Sequence, residues 1–314
     1  MDFELPEEYR QLQALVEKFV AAELLPLESA FLARDINDGY AELSDLEIAH
    51  LHQRCRELGL WGLENPEALG GADLPAIAMV GVNEAMGYTV VPFFIPPDSP
   101  NLHMLFATAN EEQQRRYVEP YANGEAISAM AISEPGAGAD PAPMVTRAER
   151  DGDEWVLNGR KIWVSRVKEA AFTILMAVTE QGKGNQGISA FIIDRDTPGF
   201  NVAREIPMIG AQRTYEIELD NCRLPAGALL GEEGRGFAPM QLRLNVRRLQ
   251  MGAWCVGKAR RALDILRDYV NQRHTHGQPL AERQAIQWPV ADAEMKIHAC
   301  RLMLQHAAWK QDRG

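Results

Sequence analysis

A hydroxyl followed by a glycine-containing turn marks the first segment that can bind a ligand. Ser133 ends the β-prone run AISAMAIS (126–133) and precedes the turn sequence EPGAGAD (134–140). The Ser133 hydroxyl and the backbone amides of such a turn can donate hydrogen bonds to one ligand. We expect Gly136 and Gly138 to adopt backbone conformations that other residues avoid. The alternative is a purely structural turn, which is the commoner role of a Pro-Gly turn after a strand.

Trp163 and Ser165 mark a second segment that can bind a ligand. They stand two residues apart in KIWVSR (161–166), so on a β-strand both side chains project from one face. The indole offers apolar contact to a planar ring, and the hydroxyl can meet a ring nitrogen, which suits a heteroaromatic redox cofactor. A core tryptophan beside a solvated serine is the alternative interpretation of these two residues.

The histidines and cysteines show no pattern of a metal site or of a disulfide framework. His50 and His52, like His274 and His276, stand two residues apart, which places them on different faces of a helix, so we predict that no metal is bound. The four cysteines are widely spaced and include no Cys-x-x-Cys pair. This spacing indicates a reducing compartment, and we predict a cytoplasmic protein.

The charge balance argues against nucleic acid as a partner. A formal net charge of −12 repels a phosphate backbone at long range. The first 25 residues lack the cationic start and apolar run of a signal peptide, and no window has the length and apolarity of a membrane span. With 46% hydrophobic and 24% charged residues, the composition is that of an ordinary globular protein.

Residues 1–124 are predicted to form an amino-terminal helical domain. Apolar residues recur there at steps of three and four. Ser44 with Glu47 and Asn110 with Gln113 have the spacing of capping boxes, in which two side chains satisfy backbone amides reciprocally at a helix start.

Residues 125–236 are predicted to form a β-domain. The period changes near Ala126 to six or seven short β-prone runs, with Asn158 and Gly159 predicted as a hairpin turn. Since no helix-length segments separate the strands, parallel βαβ winding is excluded and an antiparallel barrel or sandwich is expected.

Residues 237–314 are predicted to form a carboxyl-terminal helical bundle. Two apolar stripes of helical period, from Leu249 to Val270 and from Ile286 to Ala307, indicate two long antiparallel helices. Pro289 is expected to kink the second helix or to mark its start. Two helices are half of a four-helix bundle, so an apolar face is exposed unless more chain or another subunit covers it. The predicted fold class is thus multidomain α and β.

The order of the motifs resembles that of the acyl-CoA dehydrogenase family from the first helices to Gly314. SEPGAGAD (133–140) is similar to the family's TEPGAGSD, and DEWVLNGRKIWVS (153–165) is similar to its strand, Asn-Gly and W-I-T segment. TPGFNV (197–202), LLGEEGRGF (229–237) and QRHTHGQPLAERQAIQ (272–287) follow in the family's order. Several spaced matches in one order are much more specific than any one of them.

The resemblance implies FAD as the cofactor, lying between the β-domain and the helical bundle. It assigns the pyrimidine side of the flavin to Met130, Ile132 and Ser133, and the dimethylbenzene side and N5 to Trp163 and Ser165. It assigns the pyrophosphate and adenine of a neighbouring subunit's FAD to Arg273, Thr275 and Gln284. Cofactor sharing of this kind implies a homodimer or homotetramer.

The resemblance also implies substrate contacts on the first bundle helix. Arg248 matches a CoA-contacting arginine, and Leu244 and Asn245 lie one turn earlier, near the thioester. Ala139 stands where the family often has a serine on the CoA side. Arg243, with Arg247 and Arg248, makes a local basic cluster that favours a phosphorylated nucleotide, although a solvated surface cluster is the alternative.

The base that removes the α-proton is not assigned within this chain. The family uses a glutamate, usually in a Y-E-G-T-like motif near the carboxyl end and in a minority of members at the position of Arg247. A guanidinium stays protonated and does not act as that base. We expect the glutamate beyond Gly314, in a segment of roughly seventy residues that includes two further bundle helices.

The predicted function is FAD-dependent α,β-dehydrogenation of an acyl-CoA thioester to a trans-2-enoyl-CoA, with an electron-transfer flavoprotein as the acceptor. His276 replaces a common phenylalanine, and Arg166, Val167 and Lys168 replace the usual Asn-Gly-Gly. These departures keep two alternatives open. One is a flavin-dependent oxidase or desulfinase-like relative, and the other is a non-catalytic acyl-CoA-binding scaffold. The sequence indicates neither the acyl chain length nor the pathway.

Overall fold

The computed structural model describes residues 5–38, 42–97, 100–208 and 213–314. Contacts within the chain divide it into two units. The helical unit consists of residues 1–64, 72–94 and 246–314, and the sheet unit consists of residues 65–71 and 95–245. The helical unit is therefore assembled from both ends of the sequence.

Nine α-helices lie within the described ranges. In chain order they are α1 (Glu7–Phe19), α2 (Glu28–Asp38), α3 (Asp45–Glu57), α4 (Ala76–Met86), α5 (Pro100–Thr108), α6 (Glu111–Gln113), α7 (Glu119–Ala122), α8 (Phe237–Gln272) and α9 (Gln284–Gln311). The first residues of α8 belong to the sheet unit and the rest to the helical unit. Of the helices in the described ranges, none is both long and apolar enough to cross a membrane.

Two helix starts have the reciprocal hydrogen bonds that their sequences predict. At α3 the Ser44 hydroxyl accepts from the Glu47 amide at 3.3 Å, and the Glu47 carboxylate accepts from the Ser44 amide at 2.8 Å. At α6 the Asn110 side chain accepts from the Gln113 amide, and the Gln113 side chain accepts from the Asn110 amide. Both predicted capping boxes are confirmed.

The two long helices α8 and α9 pack antiparallel, as their apolar stripes predict. Val256 and Leu263 of α8 and Ile297 of α9 are buried in one hydrophobic cluster. Arg267, late in α8, pairs with Glu294, early in α9. Pro289 lies inside α9, which already begins at Gln284. The expectation that Pro289 marks the helix start is wrong, because the first turn forms from the residues before it and needs no amide from the proline.

The sheet unit contains one eight-stranded sheet. Its strands are β1 (Ser128–Ala131), β2 (Arg147–Asp151), β3 (Glu154–Ser165), β4 (Phe172–Val178), β5 (Ile188–Asp194), β6 (Phe200–Ile206), β7 (Thr214–Pro225) and β8 (Leu229–Leu230). The order is β6-β7-β3-β2-β4-β5-β8, and β1 pairs with β4. Most pairs are antiparallel, as predicted, but β1 runs parallel to β4 and β2 has one parallel contact with β4. No helix connects β1 to β4, because the intervening chain forms β2 and β3.

The turn between β2 and β3 lies at Gly152 and Asp153, since Asp151 pairs with Glu154. The prediction of a hairpin turn at Asn158 and Gly159 is wrong. Both residues lie inside β3, where the pairing with β7 shifts register. A Cβ on Gly159 would lie 2.4 Å from the Thr146 hydroxyl oxygen, so this glycine allows a close approach within the sheet rather than a turn.

The central strands β4 and β5 are buried on both faces. Leu175 and Phe191 face a cluster inside the folded sheet. Ile174 and Ile192 face a second cluster formed with α5 and α7. Strands covered on both sides need continuous apolar sequences, which explains the runs FTILMAV and ISAFII. The sheet unit is therefore a sheet with one enclosed core and one helix-covered face, and it holds the ends of β1 and β3 firmly.

Candidate functional site

The end of β1 lies beside the middle of β3. The Ser133 carbonyl accepts a hydrogen bond from the Ile162 amide at 2.9 Å, and the Ile132 carbonyl accepts one from Lys161 Nζ at 3.1 Å. The side chains of Ile132 and Ser133 are half-buried, as is that of Met130. Three of the five predicted flavin-contacting residues are thus placed next to the strand that carries the other two.

Trp163 sits at a bulge in β3. Its φ is +63°, and the pairing with β7 shifts register between Lys161 and Val164. The simple strand alternation that the sequence predicts is therefore interrupted here. Val164 enters the sheet core, whereas Trp163 is 55% exposed and Ser165 is half-buried. Both predicted residues lie outside the core, and a left-handed conformation at a bulky residue is a strained one that functional sites commonly retain.

The turn after Ser133 is not built as the glycines suggest. Gly136 and Gly138 both lie outside the left-handed region, and a Cβ on either would meet nothing within 4 Å. The expectation of special glycine conformations is wrong. Reciprocal backbone hydrogen bonds between Glu134 and Ala137 close the turn instead, and that geometry is open to any residue. Ala139 is exposed on its surface.

A buried ion pair lies directly beneath the turn. Lys161 Nζ and Glu134 Oε1 are 2.9 Å apart, and the two side chains are 0% and 2% exposed. The Glu134 carboxylate also accepts from the amides of Val145 at 2.7 Å and Thr146 at 2.9 Å. Sequence reasoning missed both residues. A signal was present, because Lys161 is in phase with the inward-facing Trp155 and Leu157, where a charge requires a buried partner.

The pair has perturbed protonation equilibria. Burial lowers the pKa of Lys161 to about 8, although the Glu134 charge opposes this. Burial also acts to raise the pKa of Glu134, but the Lys161 charge and the hydrogen bonds from Lys161, Thr146 and Val145 outweigh it, so the pKa of Glu134 is lowered. Each partner therefore keeps the other charged inside the protein.

The predicted nucleotide-binding residues surround a small hairpin in the helical unit, formed by β9 (His274–Thr275) and β10 (Gln278–Pro279). His276 and Gly277 make its turn with φ values of +50° and +80°, as a two-residue hairpin requires. Arg273 and Gln284 are exposed. The backbone and hydroxyl oxygens of Thr275 accept from Arg283 at 2.6 and 2.9 Å, so Arg283, which was not predicted, fixes the hairpin to the start of α9.

Three of the four predicted substrate residues lie along α8, whereas Ala139 lies in the turn after Ser133. Leu244 is half-buried against the helix-covered face of the sheet unit, whereas Asn245 and Arg248 are exposed. Arg243 donates to Asn101 at 2.9 Å within the sheet unit. The basic cluster is therefore not a uniformly solvated patch.

Arg247, within the helical unit, lies in an aromatic environment. Its guanidinium lies 4.8 Å from the ring centre of Phe94, and Phe94 stacks on Trp254 with ring centres 4.3 Å apart and an interplanar angle of 15°. Arg247 also donates to Gln250 at 2.6 Å. Arg247 therefore makes a cation–π contact with Phe94, whose ring rests on the buried Trp254.

A planar heteroaromatic cofactor fits the residues at the ends of β1 and β3. Most of the large apolar side chains of the sheet are buried, as Trp155 is at 1% exposure, but the indole of Trp163 keeps an open face. Ser133 and Ser165 are half-buried residues near it, one following β1 and the other ending β3. An open aromatic face with hydroxyls close by offers both stacking and polar contacts to a flavin ring.

Comparison with known proteins identifies the family. The family models of the acyl-CoA dehydrogenase N-terminal, middle and C-terminal domains match residues 6–125, 129–222 and 234–314. The (R)-benzylsuccinyl-CoA dehydrogenase of Thauera aromatica is 41% identical over 324 residues, covering 100% of this chain and 80% of that protein. The C-terminal domain of the family is thus represented in the chain.

Comparison with solved structures identifies the same family. A glutaryl-CoA dehydrogenase of Mycobacterium smegmatis in complex with FADH2 has a TM-score of 0.83 and 28% identity, covering 98% of this chain and 77% of its own. A chain from a structure of the electron transferring flavoprotein of Acidaminococcus fermentans has a TM-score of 0.83 and 29% identity, covering 100% and 81%. The chain therefore belongs to the acyl-CoA dehydrogenase family, and it is an FAD-dependent oxidoreductase that acts on acyl-CoA thioesters.

Proposed function

We propose that the flavin ring of FAD binds against Trp163, with the hydroxyls of Ser133 and Ser165 as its polar contacts. The observation that carries this proposal is the half-exposed indole at the strained bulge of β3, next to the end of β1. Met130 and Ile132 supply apolar contact on the same side. When bound there, FAD would supply the acceptor for the hydride that leaves the β-carbon of the acyl group.

The protein groups around the ring orient it and exclude water. The indole of Trp163 would cover apolar edge atoms of the flavin ring and exclude water from them. Hydrogen bonds close to such a water-free surface are stronger than hydrogen bonds in water. The Ser165 hydroxyl would donate a hydrogen bond to a ring nitrogen, and the Ser133 hydroxyl would donate one at the pyrimidine side. Such donors stabilise negative charge that develops on the ring.

The nucleotide half of FAD is proposed to bind at the β9–β10 hairpin of a neighbouring subunit. Arg273 offers forked donors to the pyrophosphate, while Thr275 and Gln284 offer a hydroxyl and an amide. The bonds from Arg283 to Thr275 hold this surface in shape. A site that needs residues from two subunits makes a homodimer or homotetramer the proposed assembly.

The acyl-CoA thioester is proposed to contact α8. Arg248 binds a phosphate of CoA, Leu244 and Asn245 lie near the thioester, and Ala139 lies on the CoA side. Arg247 is not the α-proton acceptor, because its guanidinium stays protonated and packs over Phe94.

Within this substrate class, we propose an acyl group that carries an aromatic ring or a second carboxylate. The name of the 41% identical relative, (R)-benzylsuccinyl-CoA dehydrogenase, describes such a substrate. The position of Arg247 over the half-buried ring of Phe94 supports it, because it places a cation next to an aromatic side chain. Rates with benzylsuccinyl-, glutaryl- and butyryl-CoA test this proposal. We expect kcat/KM for benzylsuccinyl-CoA to exceed that for butyryl-CoA and Arg247→Met to reduce the preference by about 10- to 100-fold. A preference for butyryl-CoA would contradict it.

The proposed electron acceptor is an electron-transfer flavoprotein, and the proposed location is the cytoplasm. A chain from a structure of an electron transferring flavoprotein shares this fold. Cys55 and Cys222 are buried free thiols, which is compatible with a reducing compartment.

Anaerobic titration tests the proposed reaction. Purified protein loaded with FAD is expected to lose its visible flavin absorbance when the preferred acyl-CoA is added, and electron-transfer flavoprotein is expected to restore it. Admission of air separates the alternatives, since rapid reoxidation by oxygen would favour an oxidase. Protein that takes up no FAD, or whose flavin no acyl-CoA bleaches, would contradict the proposal and favour a binding scaffold.

A further inference from the structure

The buried pair of Lys161 and Glu134 lies where the flavin-contacting residues meet. Lys161 precedes Trp163 by two residues on β3, and Glu134 follows Ser133 directly. Neither side chain reaches solvent, so their role is exerted through the groups they touch.

The contacts of the pair tie the end of β1 to β3. Lys161 Nζ donates to the Ile132 carbonyl at 3.1 Å and to Glu134 Oε1 at 2.9 Å. The adjacent Ile162 amide donates to the Ser133 carbonyl at 2.9 Å. One ammonium group therefore bridges the residues on either side of Ser133, which limits how far its hydroxyl can move relative to β3.

Glu134 extends the same network to the start of β2. Its carboxylate accepts from the amides of Val145 and Thr146 as well as from Lys161. The Thr146 hydroxyl in turn donates to the Arg160 carbonyl of β3 at 3.3 Å. The turn after Ser133 is therefore closed from both sides, although its glycines are not in restricted conformations.

A buried pair is an inefficient way to stabilise a fold. Removing two charges from water costs much of what their attraction returns, and apolar replacements of similar volume are often neutral or better. The pair sits where the strained bulge at Trp163 lies beside the end of β1. Fixed geometry, rather than stability, is what this arrangement provides.

We propose that Lys161 and Glu134 are positioning residues, which fix the Ser133 hydroxyl relative to Trp163 and Ser165 and so set the affinity and electronic properties of the bound flavin. This inference rests on the proposed flavin site and names two residues that support it without touching the cofactor.

Three variants test the inference. Lys161→Met removes the ammonium and keeps an unbranched apolar side chain close to the length of the lysine stem, and Glu134→Gln removes the opposite charge with little change in volume. Arg223→Gln is the matched control, because Arg223 lies on β7 of the same sheet and donates to Asp151 and Glu154 at 2.8 Å each, but its side chain is 52% exposed.

The measurements are FAD affinity by titration of the apoprotein, the visible spectrum at saturating FAD and the flavin midpoint potential. Circular dichroism identifies the temperature range in which each variant is folded. We expect about tenfold weaker FAD binding or more in the folded Lys161 and Glu134 variants, with a shifted flavin band, and less than about a twofold change for the control. Spectrum and potential at saturation report the ring's surroundings, which a merely structural role would leave unchanged.

The possible outcomes are separable. If folded Lys161→Met or Glu134→Gln binds FAD within about twofold of the wild type with the same spectrum and potential, the positioning role is wrong. If Lys161→Met does not fold, the Glu134→Gln result decides. If the wild-type chain itself binds no FAD, the proposed flavin site fails, and this failure is distinct from a failure of the positioning role.

Discussion

Trp155 and Trp163 lie on the same strand in opposite environments. Trp155 is 1% exposed within the sheet core, whereas Trp163 is 55% exposed at the bulge. The first is expected to contribute to folding and the second to ligand binding, because only a buried ring leaves a cavity when it is removed.

We therefore predict opposite effects from two alanine substitutions. Trp155→Ala is expected to lower the free energy of unfolding by about 3–5 kcal/mol, and Trp163→Ala by about 1 kcal/mol or less. Trp163→Ala is instead expected to weaken FAD binding about three- to tenfold, as the loss of one aromatic contact does. Urea unfolding of the apoprotein and FAD titration measure the two effects. Equal destabilisation by both substitutions would contradict the assignment of Trp163 to the site.

The sequence predicts site residues where chemical type and local spacing suffice. Ser133, Trp163 and Ser165 are identifiable because each lies in a recognisable strand or turn segment. The pairing of Lys161 with Glu134 spans 27 residues along the chain, and no local pattern specifies a partner at that distance. The special backbone conformations expected for Gly136 and Gly138 are absent for a related reason, since reciprocal hydrogen bonds between Glu134 and Ala137 close the turn without them.

Between elements, the backbones of α4 and α8 approach each other closely at Gly257. A Cβ on Gly257 would lie 2.1 Å from the Glu84 carbonyl oxygen and 2.8 Å from the Gly87 carbonyl carbon. Glu84 itself is buried and accepts from Arg301 at 2.7 and 2.9 Å. The two helices are thus fixed by backbone contact on one side and by an ion pair with α9 on the other.

Alanine substitutions in α8 test this contact. Gly257→Ala is expected to lower the free energy of unfolding by about 2–4 kcal/mol, because backbone atoms must move apart. Gly252→Ala is the control in the same helix, since its Cβ would meet the rotatable end of the Leu304 side chain. Alanine is also more favourable than glycine in a helix by about 1 kcal/mol. Urea unfolding compares them. A loss of less than about 1 kcal/mol for Gly257→Ala would show that the helices separate easily.

The ion pair between α2 and the start of α3 makes stability depend on pH. Hydrogen bonds from Arg34 lower the pKa of Glu47 to about 2, with a smaller contribution from Ser44, although burial opposes this. Because the folded-state pKa is below the unfolded one, this stability is present above about pH 4.5 and is lost as the pH falls towards about 2.

Glu47→Gln is therefore expected to flatten the decline in unfolding free energy over that pH range and to cost about 1–2 kcal/mol at neutral pH, since the pair is partly screened by solvent. Glu67→Gln, at an exposed position, serves as the control and is expected to keep the wild-type slope. Chemical unfolding at several pH values measures the difference. A Glu47→Gln profile parallel to that of the wild type would rule out this contribution.

Periodicity predicts the existence of these elements better than it predicts their irregularities. The strand runs at 172–178 and 188–194 and the two long helices follow from apolar spacing alone. The bulge at Trp163 and the register shift at Gly159 do not, because both depend on the partner strand β7. The Asn-Gly dipeptide is typical of a turn, but in this sheet its glycine is required by the close contact with Thr146.

For the whole molecule, sequence order and spatial grouping differ. The helical unit draws residues from both ends of the chain, and the sheet unit includes the short segment at 65–71. Composition and the spacing of apolar residues change along the sequence, and these changes predict domains that each consist of consecutive residues. Contacts such as those from Glu84 to Arg301, 217 residues apart, have no local signal and become visible only in the folded chain.

The outer surfaces of α8 and α9 carry apolar side chains that further helices of the bundle or another subunit would cover. Large apolar side chains are exposed there, among them Tyr269 (55%), Trp288 (62%), Met295 (63%), Met303 (72%) and Trp309 (46%). Apolar surface of this extent on one pair of helices is typical of an interface. The proposed sharing of FAD between subunits requires association as well.

We predict that the wild-type chain sediments as a dimer or a larger assembly at micromolar concentration. The double substitution Met295→Lys and Met303→Lys is expected to shift it towards smaller species with an unchanged circular dichroism spectrum, because two desolvated charges oppose burial of this surface. Leu46→Lys is the matched control, since Leu46 is 83% exposed on α3, outside this helix pair, and it is expected to leave the assembly intact. Sedimentation velocity measures all three proteins. A monomeric wild type would contradict association. An unchanged assembly in the double variant would show that the interface lies on another surface and does not include the exposed methionines of α9.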